Sequence, residues 1–191
     1  ADVLVGKVNP SGKLPFSYPV KLEDCPAHFY GEMSYPGDSI REEYKEDILV
    51  GYRWYDTKKI KPLFPFGYGI GYTTYQYSKP VLSAKTMRAG ETLSVSVKIR
   101  NTGKMAGKET VQMYIGDEKC TVLRPEKELK GFQKVELQPG EEKEVVFTIH
   151  PEDLQFFDDK KHTWTVEPGK FKVYVSASSA DEHHTAEFEY L

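Results

Sequence analysis

The stretch LSVSVKIR, residues Leu93–Arg100, gives the strongest indication of fold class in this chain of 191 residues. Apolar and polar residues alternate along its whole length. Successive side chains of a β-strand point to opposite faces of the sheet, so this alternation predicts a strand with one buried and one solvated face. The predicted buried set is Leu93, Val95, Val97 and Ile99.

Similar short segments follow one another along the rest of the chain. Thr110–Ile115 is predicted to place Val111, Met113 and Ile115 on the core side, with Gln112 and Tyr114 opposite. Turn residues such as Pro139-Gly140 and Pro168-Gly169 separate the segments. The further predicted strands are Tyr72–Tyr77, Val81–Ala84, Glu128–Val135, Glu144–Ile149, Thr163–Val166, Lys170–Ser176 and Ala186–Tyr190. Roughly seven or more short strands predict a mainly β fold, an immunoglobulin-like or fibronectin-like sandwich.

Residues 1–72, which we call the leader, follow a different pattern. Prolines interrupt them so often that long helices are excluded. Asp2–Val5 is predicted as a short buried strand or helix end, and Ile40–Trp54 as one helical turn followed by a short strand. The leader is rich in aromatic residues without regular periodicity, so it cannot bury its own apolar surface. We therefore predict that it lies against a preformed body.

Charge and hydropathy exclude two classes of partner. The formal net charge is −3 and the cations are scattered, which argues against binding to nucleic acid. No apolar run approaches the ~20 residues of a membrane span. The opening sequence ADVLVGKVNP lacks the features of a secretion signal. We expect either an intracellular chain, with a bacterial cytoplasm favoured, or an N-terminus that lies elsewhere.

No cofactor or metal site is expected. Cys25 and Cys120 are far apart in sequence and lack the spacing of metal ligands, and two reduced thiols are favoured over a disulfide, which stays open. His183 and His184 are interpreted as part of a surface turn, because adjacent residues of a strand face opposite sides and cannot easily share a metal.

Two segments of the chain resemble known family motifs. Val8–Pro15 reads VNPSGKLP, and this run is similar to the element that closes the α/β sandwich domain of family 3 glycoside hydrolases. Val50–Asp56 (VGYRWYD) and Pro62–Tyr75 (PLFPFGYGIGYTTY) resemble its VGYRYYD and PLFPFGYGLSYTTF stretch, with Ile-Gly in place of Leu-Ser. Similarity to the family's fibronectin type III-like domain continues through Val97–Gly107, Arg124–Phe132 and Leu137–Lys143.

The resemblance implies a domain order of (β/α) barrel, α/β sandwich and fibronectin type III-like β-sandwich. Residues 1–20 would then end the α/β sandwich domain, residues 21–72 would form an aromatic, Pro-rich connector, and residues 73–191 would form the β-sandwich. The chain would be the non-catalytic C-terminal part of a retaining β-glycosidase, most simply a β-glucosidase that removes terminal non-reducing β-D-glucosyl residues. Its implied partners are the barrel and α/β portion of the same enzyme and, through the complete enzyme, a β-glucoside; a homo-oligomer stays possible.

No catalytic residue is assigned to this chain. Retaining glycosidases need two carboxyl groups about 5–5.5 Å apart, and the resemblance implies that both lie upstream. The alternative is an acidic cluster in the leader, which we interpret as a solvated face paired with neighbouring cations. The cluster is Glu42, Glu43, Glu46 and Asp47, and the cations are Arg41, Lys45 and Arg53.

Three aromatic residues, Tyr52, Trp54 and Tyr55, are the candidates for substrate contact, since sugar rings stack on aromatic faces. The favoured alternative is that they anchor the connector by packing, which would contribute about 1.5–3 kcal/mol for each large buried side chain. Arg53, between them, is expected to bind a carboxylate or backbone carbonyls with its guanidinium fork.

A second function stays open, namely an autonomous carbohydrate-binding or adhesion module. Such a module would need a row of exposed aromatic residues on one sheet face. From Leu93 onward the strands offer little beyond Tyr114 and Tyr174.

Overall fold

The computed structural model describes residues 1–181 and 184–191 and places two β-sheets face to face. In chain order the strands are β1 Tyr75–Tyr77, β2 Val81–Leu82, β3 Thr86–Met87, β4 Leu93–Asn101, β5 Gly107–Asp117, β6 Glu128–Leu137, β7 Glu142–Ile149, β8 Phe156–Asp158, β9 Thr163–Thr165, β10 Gly169–Ser176 and β11 Thr185–Tyr190. From residue 72 onward, a strand lies in every range that the sequence predicts. Two short strands, β3 and β8, were not predicted.

The first sheet has four strands, with β4 at its centre. Strand β4 pairs with β1 and β2 along one edge and with β7 along the other, all antiparallel. The second sheet has five strands in the order β3-β11-β10-β5-β6, with the β11–β3 pair parallel. Strands β8 and β9 form a separate hairpin. This topology confirms the predicted mainly β sandwich.

The core lies between the two sheets. All four predicted inward residues of β4 are buried there, which confirms the alternation prediction. They pack with apolar side chains of β5, β7 and β10, among them Met113, Phe147 and Val173. Because each large apolar side chain gains about 1.5–3 kcal/mol on full burial, this core supplies the main stabilisation of the fold.

Strand β5 differs from its predicted environment, because both of its faces are buried. Gln112 and Tyr114 point away from the core as predicted, yet both are buried. The leader covers them: the Tyr52 ring lies edge-on to the Tyr114 ring at 5.6 Å, and Gln112 Nε2 donates to the Gly67 carbonyl at 3.3 Å. The body that the leader needs is therefore in part the outer face of this chain's own sheet.

The leader contains only short helices. A 3-10 turn spans Leu22–Asp24, α1 spans Pro26–Phe29 and α2 spans Tyr52–Lys58. Helix α2 begins after Gly51 (φ 58°) and ends at Lys59 in the left-handed conformation. Lys58 lies one turn after Trp54 and places its Nζ over the indole, 5.4 Å from the ring centroid.

Two predictions for the leader are wrong. The strand expected within Ile40–Trp54 is absent, because the positive φ at Gly51 starts a helix where the strand should continue. Asp2–Val5 forms turns and is exposed rather than buried, with Leu4 87% exposed. Val5 is 66% exposed, whereas Val3 is partly covered at 39% exposure.

Among the described residues, none of the helices has the length and apolar composition required to cross a bilayer.

Substitution of Gly67 tests whether the leader packs closely against the sheet. Gly67 and Gly140 have the same φ of +77°, but a Cβ on Gly67 would meet the Gln112 side chain at 2.2 Å, whereas a Cβ on Gly140 would meet nothing within 4 Å. Gly140→Ala should cost about 1–2 kcal/mol of left-handed strain. Gly67→Ala should cost about 1–3 kcal/mol more because of the clash. Urea unfolding measures both, and equal costs would contradict close packing at Gly67.

Candidate functional site

The first part of the site is the seam between α2 and the five-stranded sheet. The Tyr52 ring stacks on Phe66 with centroids 5.0 Å apart, and its hydroxyl accepts a hydrogen bond of 2.7 Å from the Leu129 backbone N–H. Burial raises the pKa of the Tyr52 phenol, so the hydroxyl stays neutral. Ring stacking and this hydrogen bond together hold Tyr52 in the seam.

Charged and polar side chains also hold helix α2 against the five-stranded sheet. Asp56 lies 3.4 Å from the ammonium of Lys127, which is almost fully buried and sits 5.2 Å from the centroid of the Tyr174 ring. The Thr57 hydroxyl accepts from the Glu126 backbone N–H at 2.9 Å. Lys59 forms an ion pair with the Glu126 carboxylate at the exposed end of the seam. Helix α2 is therefore fixed in position by polar as well as aromatic contacts.

A second set of contacts holds the start of the leader. Lys13 Nζ donates to Glu109 Oε1 at 3.0 Å and to the Ala177 carbonyl at 3.1 Å. The Asn9 amide donates to the Ala106 carbonyl at 2.9 Å and accepts from the Tyr72 N–H at 2.8 Å. The two ends of the leader are thereby held together on the sandwich.

A polar cleft of about 600 Å³ lies beside these contacts and is lined by Glu109 and Asp181. Both carboxylates already bind groups of the fold. Glu109 accepts from Lys13 and, at 2.8 Å, from the Tyr77 hydroxyl, while Asp181 accepts from the Ala177 N–H at 3.3 Å. This arrangement gives them structural contacts and leaves neither set up as a nucleophile facing a partner acid.

The three aromatic candidates lie in packing contacts. Trp54 is 0% exposed, and its indole N–H donates to the Asp24 carbonyl at 3.0 Å. Tyr55 is also buried, which raises the pKa of its phenol, and its hydroxyl contacts Cys25 Sγ at 3.8 Å. With Leu49 these two rings form a small core inside the leader, separate from the main one. Their burial, and the position of Tyr52 in the seam, support the packing alternative.

The acidic cluster is only partly the solvated face that we expected. Glu43 pairs with Lys45 at 2.9 Å and with Arg41 at 3.6 Å, and the hydrogen bond from Lys45 lowers the pKa of the Glu43 carboxyl. Glu46 instead is buried. The Nε atom of Arg53 is buried and has no hydrogen-bond partner in residues 1–181 and 184–191, so the expected fork contact is not complete there.

The leader also carries many exposed apolar side chains. In the described part of the chain, most large hydrophobic residues that are exposed belong to residues 1–72, and Ile40 reaches 90% exposure. We call this set the leader surface, and it comprises Val3, Leu4, Val5, Val8, Phe16, Tyr18, Val20, Leu22, Phe29, Tyr35, Ile40, Tyr44, Ile48, Val50, Leu63, Phe64, Ile70 and Tyr72. Extended apolar surface of this kind marks a site of protein contact.

The sequence missed an exposed aromatic pair on the sandwich. Phe157 of β8 and Trp164 of β9 lie directly opposite each other in the hairpin, with ring centroids 5.7 Å apart, and Trp164 is 63% exposed. Strand β9 was predicted but its partner β8 was not, so the cross-strand pair was missed, although the polar–aromatic order of Thr163-Trp164-Thr165 was a signal. The residues named earlier for such a role, Tyr114 and Tyr174, are both buried.

Metal ligation finds no support in the geometry. In the described ranges, no group of three or more His, Cys, Asp or Glu side chains could hold a metal ion. Cys25 and Cys120 are free thiols. The His184 ring stacks on Tyr77 at 5.9 Å, while His183 lies outside the described residues.

Comparison with known proteins matches two regions of the chain to known domains. Residues 1–72 match the glycosyl hydrolase family 3 C-terminal domain, and residues 109–179 match the fibronectin type III-like domain. The chain belongs to glycoside hydrolase family 3. It is 73% identical over its full length to the β-glucosidase BoGH3A of Bacteroides ovatus, of which it covers 26%. It is 50% identical to thermostable β-glucosidase B of Acetivibrio thermocellus, with 95% of the chain and 23% of that protein covered.

Solved structures of the family have the same arrangement. A β-glucosidase of Bifidobacterium adolescentis superimposes with a TM-score of 0.90 at 37% identity, covering 100% of the chain and 27% of that protein. DesR, a β-glucosidase from Streptomyces venezuelae in complex with D-glucose, gives 0.88 at 38% identity, covering 98% and 24%. The chain spans about a quarter of the length of the relatives that it matches.

The buried ion pair of the seam yields a stability prediction. Asp56→Asn should cost about 1.5–3 kcal/mol, because the buried ammonium of Lys127 loses a charged partner. Lys59→Ala removes an exposed pair from the same seam and should cost less than ~1 kcal/mol. Thermal unfolding of the two variants checks this, and similar losses would show that Asp56 does not compensate the Lys127 charge.

Proposed function

We propose that the chain is the non-catalytic C-terminal part of a retaining β-glucosidase and braces the catalytic domains of that enzyme. The observation that carries the proposal is the leader surface, an extended apolar face on a chain that is 73% identical to a β-glucosidase about four times as long. Its complement is the preceding part of the same enzyme. The complete enzyme would remove terminal non-reducing β-D-glucosyl residues through a covalent glycosyl intermediate.

The contacts in the seam support different roles for three segments of the chain. Residues 1–20 would end the α/β sandwich domain, residues 21–72 would form the connector, and residues 73–191 would form the brace. The connector is fixed to the brace by Tyr52 and Asp56 and also carries exposed apolar side chains. A rigid brace would hold the catalytic domains in a productive arrangement without touching the sugar.

Tyr52, Trp54 and Tyr55 have structural roles in this proposal. Their rings give the connector a fixed shape, which the catalytic domains then contact. Substrate contact by these residues remains a prediction that the buried positions of Trp54 and Tyr55 do not favour.

Complementation tests the proposal. The chain alone should not hydrolyse an aryl β-glucoside. Mixing it with a separately produced barrel and α/β portion should restore hydrolysis, because the leader surface would then be covered. Residues 73–191 without the leader are the matched control and should restore none. A mixture of folded partners that hydrolyses no aryl glycoside would count against the proposal.

A second candidate function, glycan binding by the sandwich, is favoured by the exposed Phe157–Trp164 pair. An open indole face can stack on a pyranose ring, and polar residues of the hairpin flank it. Titration calorimetry of the chain with soluble β-glucans should then give saturable heat that Trp164→Ala abolishes. Phe132→Ala, which removes an exposed ring on β6, is the control and should leave binding intact. Heat of dilution alone would exclude this function.

A further inference from the structure

Glu46 is a buried acidic residue without a compensating group. It is 9% exposed, and its Oε2 atom is fully buried without a hydrogen-bond partner in the part of the chain that is described. None of the ion pairs among those residues includes it. Burial of a carboxylate away from water is strongly unfavourable unless a cation or N–H donors compensate it. The structure of this chain alone therefore leaves Glu46 incomplete.

Glu46 lies at the end of a loop that spans residues 33–46, and hydrogen bonds order this loop between residues 33 and 43. Its two sides are joined where the Glu43 N–H donates to the Met33 carbonyl at 2.9 Å. At its tip the Asp38 carboxylate accepts from the N–H groups of Ile40 and Arg41 at 2.7 and 2.8 Å. Ser34, in the same loop, is also buried with an unpartnered hydroxyl. Two buried polar groups thus lie in one preformed loop.

Arg53 is a second incomplete group, a few residues further along. Its Nε is buried without an acceptor in the described chain, while Tyr52 and Trp54 on either side are engaged in packing. A guanidinium presents five N–H donors in a planar fork that fits a carboxylate or backbone carbonyls. The helix that bears Arg53 is fixed on the sandwich by Asp56, so the fork has a defined direction.

The surroundings of these groups have the composition of a protein interface. Tyr35, Ile40, Tyr44, Ile48 and Val50 are exposed apolar residues of the same loop region. Interfaces combine an apolar centre with a small number of polar groups that are paired across the boundary. Buried polar groups without partners, close in sequence to exposed apolar side chains, are what remains of such an interface when one side is missing.

We propose that Glu46 and Arg53 form the polar contacts between this chain and the catalytic portion that precedes it. Glu46 accepts hydrogen bonds from a cationic side chain or backbone N–H groups of that portion, and Arg53 donates to a carboxylate or carbonyls there. The inference rests on the proposed function, because the occupant is the remaining three quarters of the length of the matched relatives. A second copy of the chain is the competing occupant.

The experiment compares the same substitutions in two contexts, the chain alone and the complete enzyme, by calorimetric melting at one scan rate. Glu46→Gln should leave the melting temperature of the chain unchanged or slightly raised, because the unpaired charge is gone. In the complete enzyme, which is about four times as long, it should lower the apparent melting temperature by about 2–3 °C, because a partner is left unpaired. Arg53→Lys should behave likewise, since an ammonium lacks the fork.

Two controls define the scale of the effect. Glu109→Gln breaks the ion pair with Lys13 inside this chain and should lower the melting temperature of the chain alone by about 5 °C or more. Glu42→Gln changes an exposed residue of the Glu46 loop and should change neither context.

Each outcome either supports or overturns the inference. A loss of stability confined to the complete enzyme supports it. A loss in the isolated chain that grows with protein concentration would assign the loop to a second copy, and no loss in either context would show that Glu46 needs no partner. The melting measurement does not depend on activity, so the two proposals fail on different results. A complete protein that hydrolyses no aryl β-glucoside would refute the proposed function.

Discussion

The packing of the Tyr52 and Phe66 rings on the outer face of strand β5 is the contact on which the rest of the arrangement depends. It buries Tyr114 and Gln112 on the face that would otherwise be solvated. It also positions α2, so that Asp56 meets Lys127. Without this contact the leader would have no fixed shape, since its own small core has only three buried apolar side chains, Leu49, Trp54 and Tyr55.

The sandwich could be predicted from the sequence because side chains alternate between the two faces of a strand, and burial follows the same two-residue repeat. In β4 every second residue is apolar, and a one-residue shift would expose all of them, so pattern and register determine each other. In β5 the same reasoning correctly separated the two faces but gave the wrong environment for Gln112 and Tyr114. What covers an outward face is determined by residues far away in sequence, and periodicity contains no information about them.

The leader could be predicted only in its general character. Its prolines and aromatic residues indicated a segment that needs a body, but Asp2–Val5 and the Ile40–Trp54 strand were judged by local pattern, which fails where tertiary contacts determine the structure. Glu46 illustrates the same limit for a candidate site. Within a run of charges nothing distinguishes a solvated carboxylate from a buried one, because burial depends on tertiary contacts that the local pattern does not contain.

A non-catalytic segment can control an active site because protein interiors are closely packed and transmit small displacements. The leader is held by the sandwich at two separate places, through Lys13 and Asn9 near its start and through α2 near its end. The loop with Glu46 lies between these places and carries its exposed apolar residues on a frame that cannot move freely. A domain that packs on that loop would therefore be positioned by the sandwich core without contacting the core itself.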